Sequence, residues 1–457
     1  MKKQNKKSYI FIIILLVFLI IYDYSFGKTN QNIFFSNLEN SILIADYDQD
    51  DYYKKDFIRN ENYIYKKNIK TVLLHKEGWE MSAAVLRLNT DDKLKLSFDD
   101  LEGDVKDYKY TIIHCNANWK TSDIPKSKYI DGFTIDEISD YQYSFNTHTE
   151  FTHYETIFPS DYTKPIISGN YILKVFDDDD KDENVIFTFR FMIVEQKVSI
   201  EASIHKATSI ADMNYKQEID FTVHKNGFEI ANPYRELTVI LQQNGRWDNI
   251  IYDLKAQMIK GNDIIYNHDK ENVFNGGNEF RNFDIKDLRY QSERIKKIDY
   301  FNNINQVFLH TDNIRPYKVY ISQQDINGKK LIKTSERRDT PTEADYSFVH
   351  FTLPYPVPLI DGELYILGSL TNWQLSDDNR LKYNYETKAY ETSLFLKQGY
   401  YNYLYAFQKN GKSQGDISFI EGNHFETEND YNILVYYREP GTQYDQLINY
   451  SHYNSQK

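Results

Sequence analysis

Apolar and polar residues alternate, or apolar residues cluster, in short runs along most of the chain, and Gly, Asp, Asn or Pro bounds nearly every run. Period-two alternation places one face of a segment on a core and the other in water, which is the pattern of an antiparallel strand. On this basis strands are expected at 111–114, 171–176, 185–194, 219–223, 237–242, 317–322, 346–353, 364–367, 391–396 and 401–407. Helical periodicity is scarce. Its best candidate, 284–289, is too short to build an α/β architecture.

The strand clusters break into three groups, which predicts an all-β chain of three tandem β-sandwich domains, immunoglobulin-like or early-set in kind, after a signal peptide. The expected boundaries are 66–195, 196–342 and 343–450, with a joint at Gln196-Lys197 and a polar stretch at 335–342. Residues 28–65 read as an extended arm rich in Asp, Asn and Tyr, and the polar tail beyond Tyr450 is expected to fray. Residues 1–27 have the layout of a secretory leader, with Lys2, Lys3, Lys6 and Lys7 ahead of an apolar stretch from Tyr9 to Tyr22. Ser25 and Gly27 place small residues before a cut, so cleavage after Gly27 is expected, leaving Lys28 as the mature N-terminus. The competing reading is a membrane anchor, although the stretch falls short of the ~17–25 residues that span a bilayer. No cysteine lies near the cut to carry a lipid.

Composition sharpens this picture. The 40 Tyr and 28 Phe against 18 Gly and 10 Pro suit half-buried β-surfaces. A formal charge of −13 argues against nucleic acid, whose phosphates require clustered Lys and Arg. A mean hydropathy of −0.65 predicts a water-soluble mature chain that meets membranes only through a partner. With Cys115 as its one cysteine, the chain has no internal disulfide, so its cores must supply the stability.

Candidate chemistry is thin. No His-Glu-x-x-His helix, phosphate loop or Gly-x-Gly-x-x-Gly turn is present, so neither catalytic residue, cofactor, metal nor small-molecule substrate is expected. His114 and Cys115 are neighbours in a predicted strand and point to opposite faces, which keeps the imidazole from serving the thiol as a base. The acidic run 177–183 reads as a charged hairpin loop, with calcium ligation as the alternative. Asn275, Gly276, Gly277 and Asn278 combine a turn permitted by two glycines with polar neighbours. They read as a tight turn feeding a strand or as a backbone loop that approaches a partner closely.

In the last domain, Leu364-Tyr365-Ile366-Leu367-Gly368, Asn372-Trp373 and Gly399-Tyr400-Tyr401-Asn402-Tyr403 resemble starch- and glycogen-binding early-set modules. That resemblance makes Trp373 either a corner core residue or a sugar platform. A wider resemblance runs from about Lys67 to Tyr450. It is carried in order by His114-Cys115-Asn116-Ala117-Asn118-Trp119, Tyr129-Ile130-Asp131-Gly132-Phe133, Tyr143-Ser144-Phe145-Asn146-Thr147 and Thr152-His153-Tyr154. Ser168-Gly169-Asn170-Tyr171, Arg190-Phe191-Met192-Ile193-Val194-Glu195, Gly276-Gly277-Asn278-Glu279-Phe280-Arg281, Glu343-Ala344-Asp345-Tyr346, Leu370-Thr371-Asn372-Trp373-Gln374 and Glu421-Gly422-Asn423-His424-Phe425 continue it. These blocks resemble the plug proteins of the type IX secretion system of Bacteroidetes. The resemblance implies a periplasmic, non-enzymatic protein that binds the inner mouth of a giant outer-membrane β-barrel translocon and closes its pore when no substrate is in transit. The contact is expected to include Asn275–Asn278 and exposed aromatics of the first domain. An exported carbohydrate-binding envelope protein using Trp373 is the alternative.

Overall fold

The computed structural model of the protein describes residues 58–335 and 338–456. The leader, its cut after Gly27 and the arm as far as residue 57 lie outside the described residues. Strand accounts for 46% and helix for 5%, so the chain is all-β, as the alternation predicts. The α-helices among the described residues are single turns at Pro233–Glu236, Thr340–Glu343 and Ser418–Glu421. None is long and apolar enough to cross a membrane.

Two expected elements do not form. Instead of a helix at 284–289, strand Arg281–Asp284 ends in turns in which Asp284 Oδ1 accepts the Lys286 N–H at 2.9 Å and Asp287 Oδ1 the Arg289 N–H at 2.9 Å. Aspartate side chains that capture the backbone two residues on compete directly with helical hydrogen bonding. The segment 317–322 has strand-like composition but pairs with no strand, and Tyr317, Val319 and Ile321 stand exposed. Alternation cannot make a strand where no edge lies alongside. The polar tail behaves in the opposite way: Gln446–Asn454 is a strand paired with Asp430–Tyr437 along its whole length.

The first core lies between two sheets. One follows Tyr63–Ile64, Val185–Val194, Gly169–Asp177, Tyr108–Cys115 and Asp136–Ile138; the other follows Ile69–Lys76, Leu94–Asp100, Thr152–Phe158 and Asp140–Tyr143. Leu94, Leu96 and Phe98 from the second sheet meet Ile112, Leu173 and Phe187 from the first. Successive strand residues point to opposite faces, so Cys115, Ile172, Met192 and Val194 face away from that core. They pack with Ile240, Leu434, Tyr436 and Leu447. Those four residues belong to the sheet Leu237–Gln243, Asp430–Tyr437 and Gln446–Asn454, whose other face carries Val239, Leu241, Ile433 and Val435 into a second core. Sheets covered on both faces require continuous apolar runs, and every residue of Asp430–Tyr437 is buried.

The second core is closed on its far side by Ser199–Lys206, Lys216–His224, Asp263–Tyr266 and Val273–Asn275. A third core lies between Arg281–Asp284, Gly399–Lys409, Lys330–Ile332 and Gly362–Leu367 on one side and Ile295–Phe301, Ile304–Leu309, Tyr346–Pro354 and Ala389–Lys397 on the other. Pairing therefore crosses residue 342 in both directions: 281–332 joins strands from 346–409, and 430–454 returns to pair with 237–243. The joint at Gln196-Lys197 is stapled as well, because Glu195 and Lys197 donate to the carbonyls of Leu447 and Ile448 at 2.9 Å each.

Candidate docking surface and the buried junctions behind it

The paired glycines sit inside the protein. Gly276 donates to Tyr215 O at 2.9 Å, and a Cβ built on it would lie 2.0 Å from the His424 carbonyl oxygen. Gly277 adopts φ +67°, its N–H reaches Asn423 Oδ1 at 3.0 Å, and its carbonyl accepts from His424 N at 2.9 Å. Asn278 is buried and donates from Nδ2 to Glu421 O at 2.8 Å, while Asn275 is the exposed member of the four. The close backbone approach that two glycines allow is thus made to the chain's own 421–425 segment.

Arg281 completes this knot. Its guanidinium donates to both Glu421 oxygens, to Asp312 Oδ1 at 2.9 Å and to Asn313 O at 2.7 Å. Arg315 adds a 2.7 Å bond to Glu421, and Tyr403 and Tyr405 donate to Asp312 Oδ2 at 2.7 and 2.8 Å. Burial pushes the Glu421 carboxyl upward, but Arg281 and Arg315 outweigh it and hold the group below its ordinary range. At the edge of the knot Asp325 has no such partner, and burial raises its carboxyl to about 7.

A second ionic junction ties the first core to the third. Asp99, fully buried, accepts from Lys397 Nζ, Tyr346 Oη and His153 Nδ1, each at 2.6 Å. Its burial favours the neutral acid, yet Lys397 and His153 keep the carboxylate ionised and its pKa lowered. Beside it, the N–H groups of His148 and Thr149 donate to Asp345 at 2.9 and 3.1 Å, and Phe145 N–H donates to Thr342 O at 3.0 Å.

Outside this junction the surface turns aromatic. Strand Asp140–Tyr143 is an exposed sheet edge carrying Tyr141 and Tyr143 on one face, with ring centroids 5.9 Å apart. Phe145 follows at 71% exposure, and the His148 ring packs at a tilt against Tyr300, on a strand of the third core, with centroids 4.8 Å apart. An open groove of about 380 Å³ runs behind the edge, lined by Ser139, Asp140, Tyr141, Gln142, His153 and Glu155. Soluble surfaces rarely cluster large apolar side chains in this way unless something docks there.

The remaining sequence candidates have structural surroundings. Trp373 is half-buried, lies edge-on to Phe280 with centroids 6.1 Å apart, and has the Arg246 guanidinium 5.9 Å from its ring. Cys115 is buried on the face opposite His114, and burial pushes its thiol up to about 12. His114 bonds Ser122 Oγ at 2.8 Å and is pushed down to about 4, again chiefly by burial. In the acidic loop Asp179 pairs with Lys181, and Asp180 and Asp182 with Lys174. A signal missed at the sequence level is Gly411-Lys412-Ser413-Gln414-Gly415, which has the Gly-x-Ser-x-Gly spacing of a nucleophile elbow. It occupies a turn after strand Gly399–Lys409, Ser413 is exposed, and its hydroxyl makes no hydrogen bond among the described residues.

The family profile of the type 9 secretion system plug protein 1st domain matches residues 69–195. Among solved structures, a hypothetical protein from Parabacteroides merdae ATCC 43184 is 35% identical at a TM-score of 0.83, covering 86% of this chain and 99% of that one. The C-terminal domain of the Streptococcus agalactiae AgI/II polypeptide BspA is 8% identical, with coverages of 84% and 98%, but its TM-score of 0.14 carries no likeness of fold. The same holds for latent PorU from Porphyromonas gingivalis, 11% identical at a TM-score of 0.15 with coverages of 85% and 34%. None of the curated proteins matches the chain. The plug family serves the secretion machinery of the cell envelope and is not an enzyme family. By the profile match, and by a relative that shares its fold over nearly all of that relative's length, this chain belongs to the type 9 secretion system plug protein family.

Proposed function

We propose that the protein is a periplasmic plug that seats against the inner mouth of the outer-membrane translocon of the type 9 system and closes it between substrates. A pore wide enough for folded cargo leaks unless a stiff body covers it, and stiffness is what shared cores and buried junctions provide. The observation that carries the reading is the exposed aromatic set of Tyr141, Tyr143 and Phe145 on the first core, with Tyr300 of the third core reached through His148. Aromatic side chains on an unpaired sheet edge offer a partner both backbone hydrogen bonds and large apolar area. From the glycine loop, Asn275 alone reaches solvent to join such a contact.

The test is recovery of the translocon with tagged protein from detergent-solubilised envelope. Tyr143→Lys combined with Phe145→Glu is expected to reduce recovery at least about tenfold, the scale of losing 1.4 kcal/mol or more at an interface hot spot. Asn275→Asp is expected to have a smaller effect. Undiminished recovery with the double variant removes this surface, and absence of any barrel from the wild-type sample removes the plug reading itself.

A further inference from the structure

On the outer face of the second core, strands Ser199–Lys206 and Lys216–His224 place three metal-ligating side chains together. His205 lies directly opposite Glu218 in the register, and Asp220 is two residues farther along the same face. One ligand atom from each of the three falls within 4.8 Å of the others. Neither carboxylate forms an ion pair with Lys or Arg among the described residues, and Glu218 is almost fully buried.

The hydrogen bonds around the cluster fix which atoms are available. His205 Nδ1 lies 2.8 Å from the Lys206 carbonyl oxygen, which only accepts, so Nδ1 carries a proton. The neutral imidazole then presents its lone pair at Nε2, which faces Asp220 Oδ2 at 3.0 Å. At that separation the two atoms either share a proton in an N–H···O bond or flank a metal ion, which takes the proton's place when the imidazole is neutral. Neighbouring ligands on a tetrahedral ion with bonds of ~2.0–2.2 Å stand ~3.3–3.6 Å apart, so this pair is a few tenths of an ångström tighter than a bound site and would open slightly around an ion.

Outer partners orient each ligand. Thr208 donates its N–H and hydroxyl to the two Glu218 oxygens at 2.7 and 3.2 Å. Asn272, fully buried, donates from Nδ2 to Asp220 Oδ1 at 3.0 Å. The amide oxygen of this same side chain has no partner, which leaves an unused oxygen donor at the cluster's edge. Buried polar atoms without partners are uncommon, and here the orphan belongs to a side chain already bonded to Asp220. A ligating histidine held at its other nitrogen by a carbonyl, with hydrogen-bonded carboxylates around it, is the usual outer-shell arrangement of a metal site.

We propose that His205 Nε2, Asp220 and Glu218 bind one divalent transition-metal ion of the zinc class, clasping the edge strand Ser199–Lys206 to its neighbour. The imidazole sets the class, since calcium and magnesium prefer all-oxygen shells. The inference concerns metal binding alone and is independent of any contact with a translocon.

The test is calorimetric titration of the chelator-stripped protein with zinc chloride, then with manganese and calcium chloride. Wild type is expected to take up one zinc per chain and to melt at a higher temperature with zinc present. His205→Ala, at an exposed position that leaves folding intact, is expected to weaken zinc by about 100-fold or more, and Asp220→Asn to weaken it as well. His268→Ala removes a histidine paired with Glu271 elsewhere in the second core and is expected to titrate as wild type. Zinc binding that is absent, equal in His205→Ala, or matched by calcium overturns the proposal. In that event the pair is an imidazolium–carboxylate bridge.

Discussion

The most consequential single residues are buried charges placed between cores. Asp99 has no access to water, so its ionisation depends on Lys397 and His153. Lys397→Met leaves that carboxylate without its main counter-charge, and breaking such a pair typically costs about 3–5 kcal/mol. The urea midpoint is expected to fall accordingly, and adding Asp99→Asn should restore much of the loss, because the uncompensated charge is then gone. Restoration by the double variant separates charge burial from lost packing; a further fall would assign the loss to packing. Asp325 acts in the opposite sense. Its folded pKa of about 7 lies above the ~3.9 of an unfolded aspartate, so the folded state holds the extra proton between those values. The resulting stabilisation is complete below about pH 3.9, declines as pH rises, and is lost above about pH 7. Asp325→Asn is expected to flatten that part of the stability–pH curve and to raise stability at pH 8. An unchanged slope would mean that Asp325 titrates normally.

Among the elements, the loop 275–281 and the turn Ser418–Glu421 with its continuation to 425 form one unit. Each supplies what the other lacks: the glycines give clearance for the His424 carbonyl, and Glu421 gives Arg281 its counter-charge. Gly276→Ala must push the His424 backbone away, since its Cβ would start 2.0 Å from that oxygen. Overpacking of this kind costs about 1–3 kcal/mol, so a clear drop in melting temperature is expected by calorimetry. Many of the blocks that carry the family resemblance behave similarly. Asn170 binds Tyr436 Oη at 2.7 Å, the Ala117 N–H binds Asp445 at 2.9 Å, and Asp345 caps the 148–149 backbone. They are places where one core is fastened to another.

For the whole molecule, the sheet Leu237–Gln243, Asp430–Tyr437 and Gln446–Asn454 is shared between two apolar layers, and the third core is joined to the first by the buried Lys397–Asp99 pair. Local opening of one core exposes the neighbour's apolar face, so residues 58–456 are expected to unfold in one calorimetric transition. Three resolved transitions would show that the junctions contribute little. Such a body suits the plug reading, since a stopper that flexed between its parts would leak at the joints. The exposed aromatic set on the first and third cores depends on that stiffness: Tyr143 and Tyr300 sit on different cores, and the ionic junction around Asp99 fixes their separation.

Sequence by itself determined the class of fold and every strand it singled out except 317–322, because period-two alternation records which side of each segment meets a core. It also separated His114 from Cys115, since that follows from strand geometry alone, and it singled out the two glycines as a point of close approach. Tertiary structure decided what was approached. The partner of Gly276 is 148 residues away at His424, a pairing that no local pattern encodes. Tertiary structure likewise left 317–322 without a neighbouring edge, closed the second core with residues 430–454, and gathered His205, Glu218 and Asp220 on one face. The physical reason is common to all of these. A side chain's periodicity specifies that it is buried or paired, whereas the identity of its partner is set by chain return over long separations.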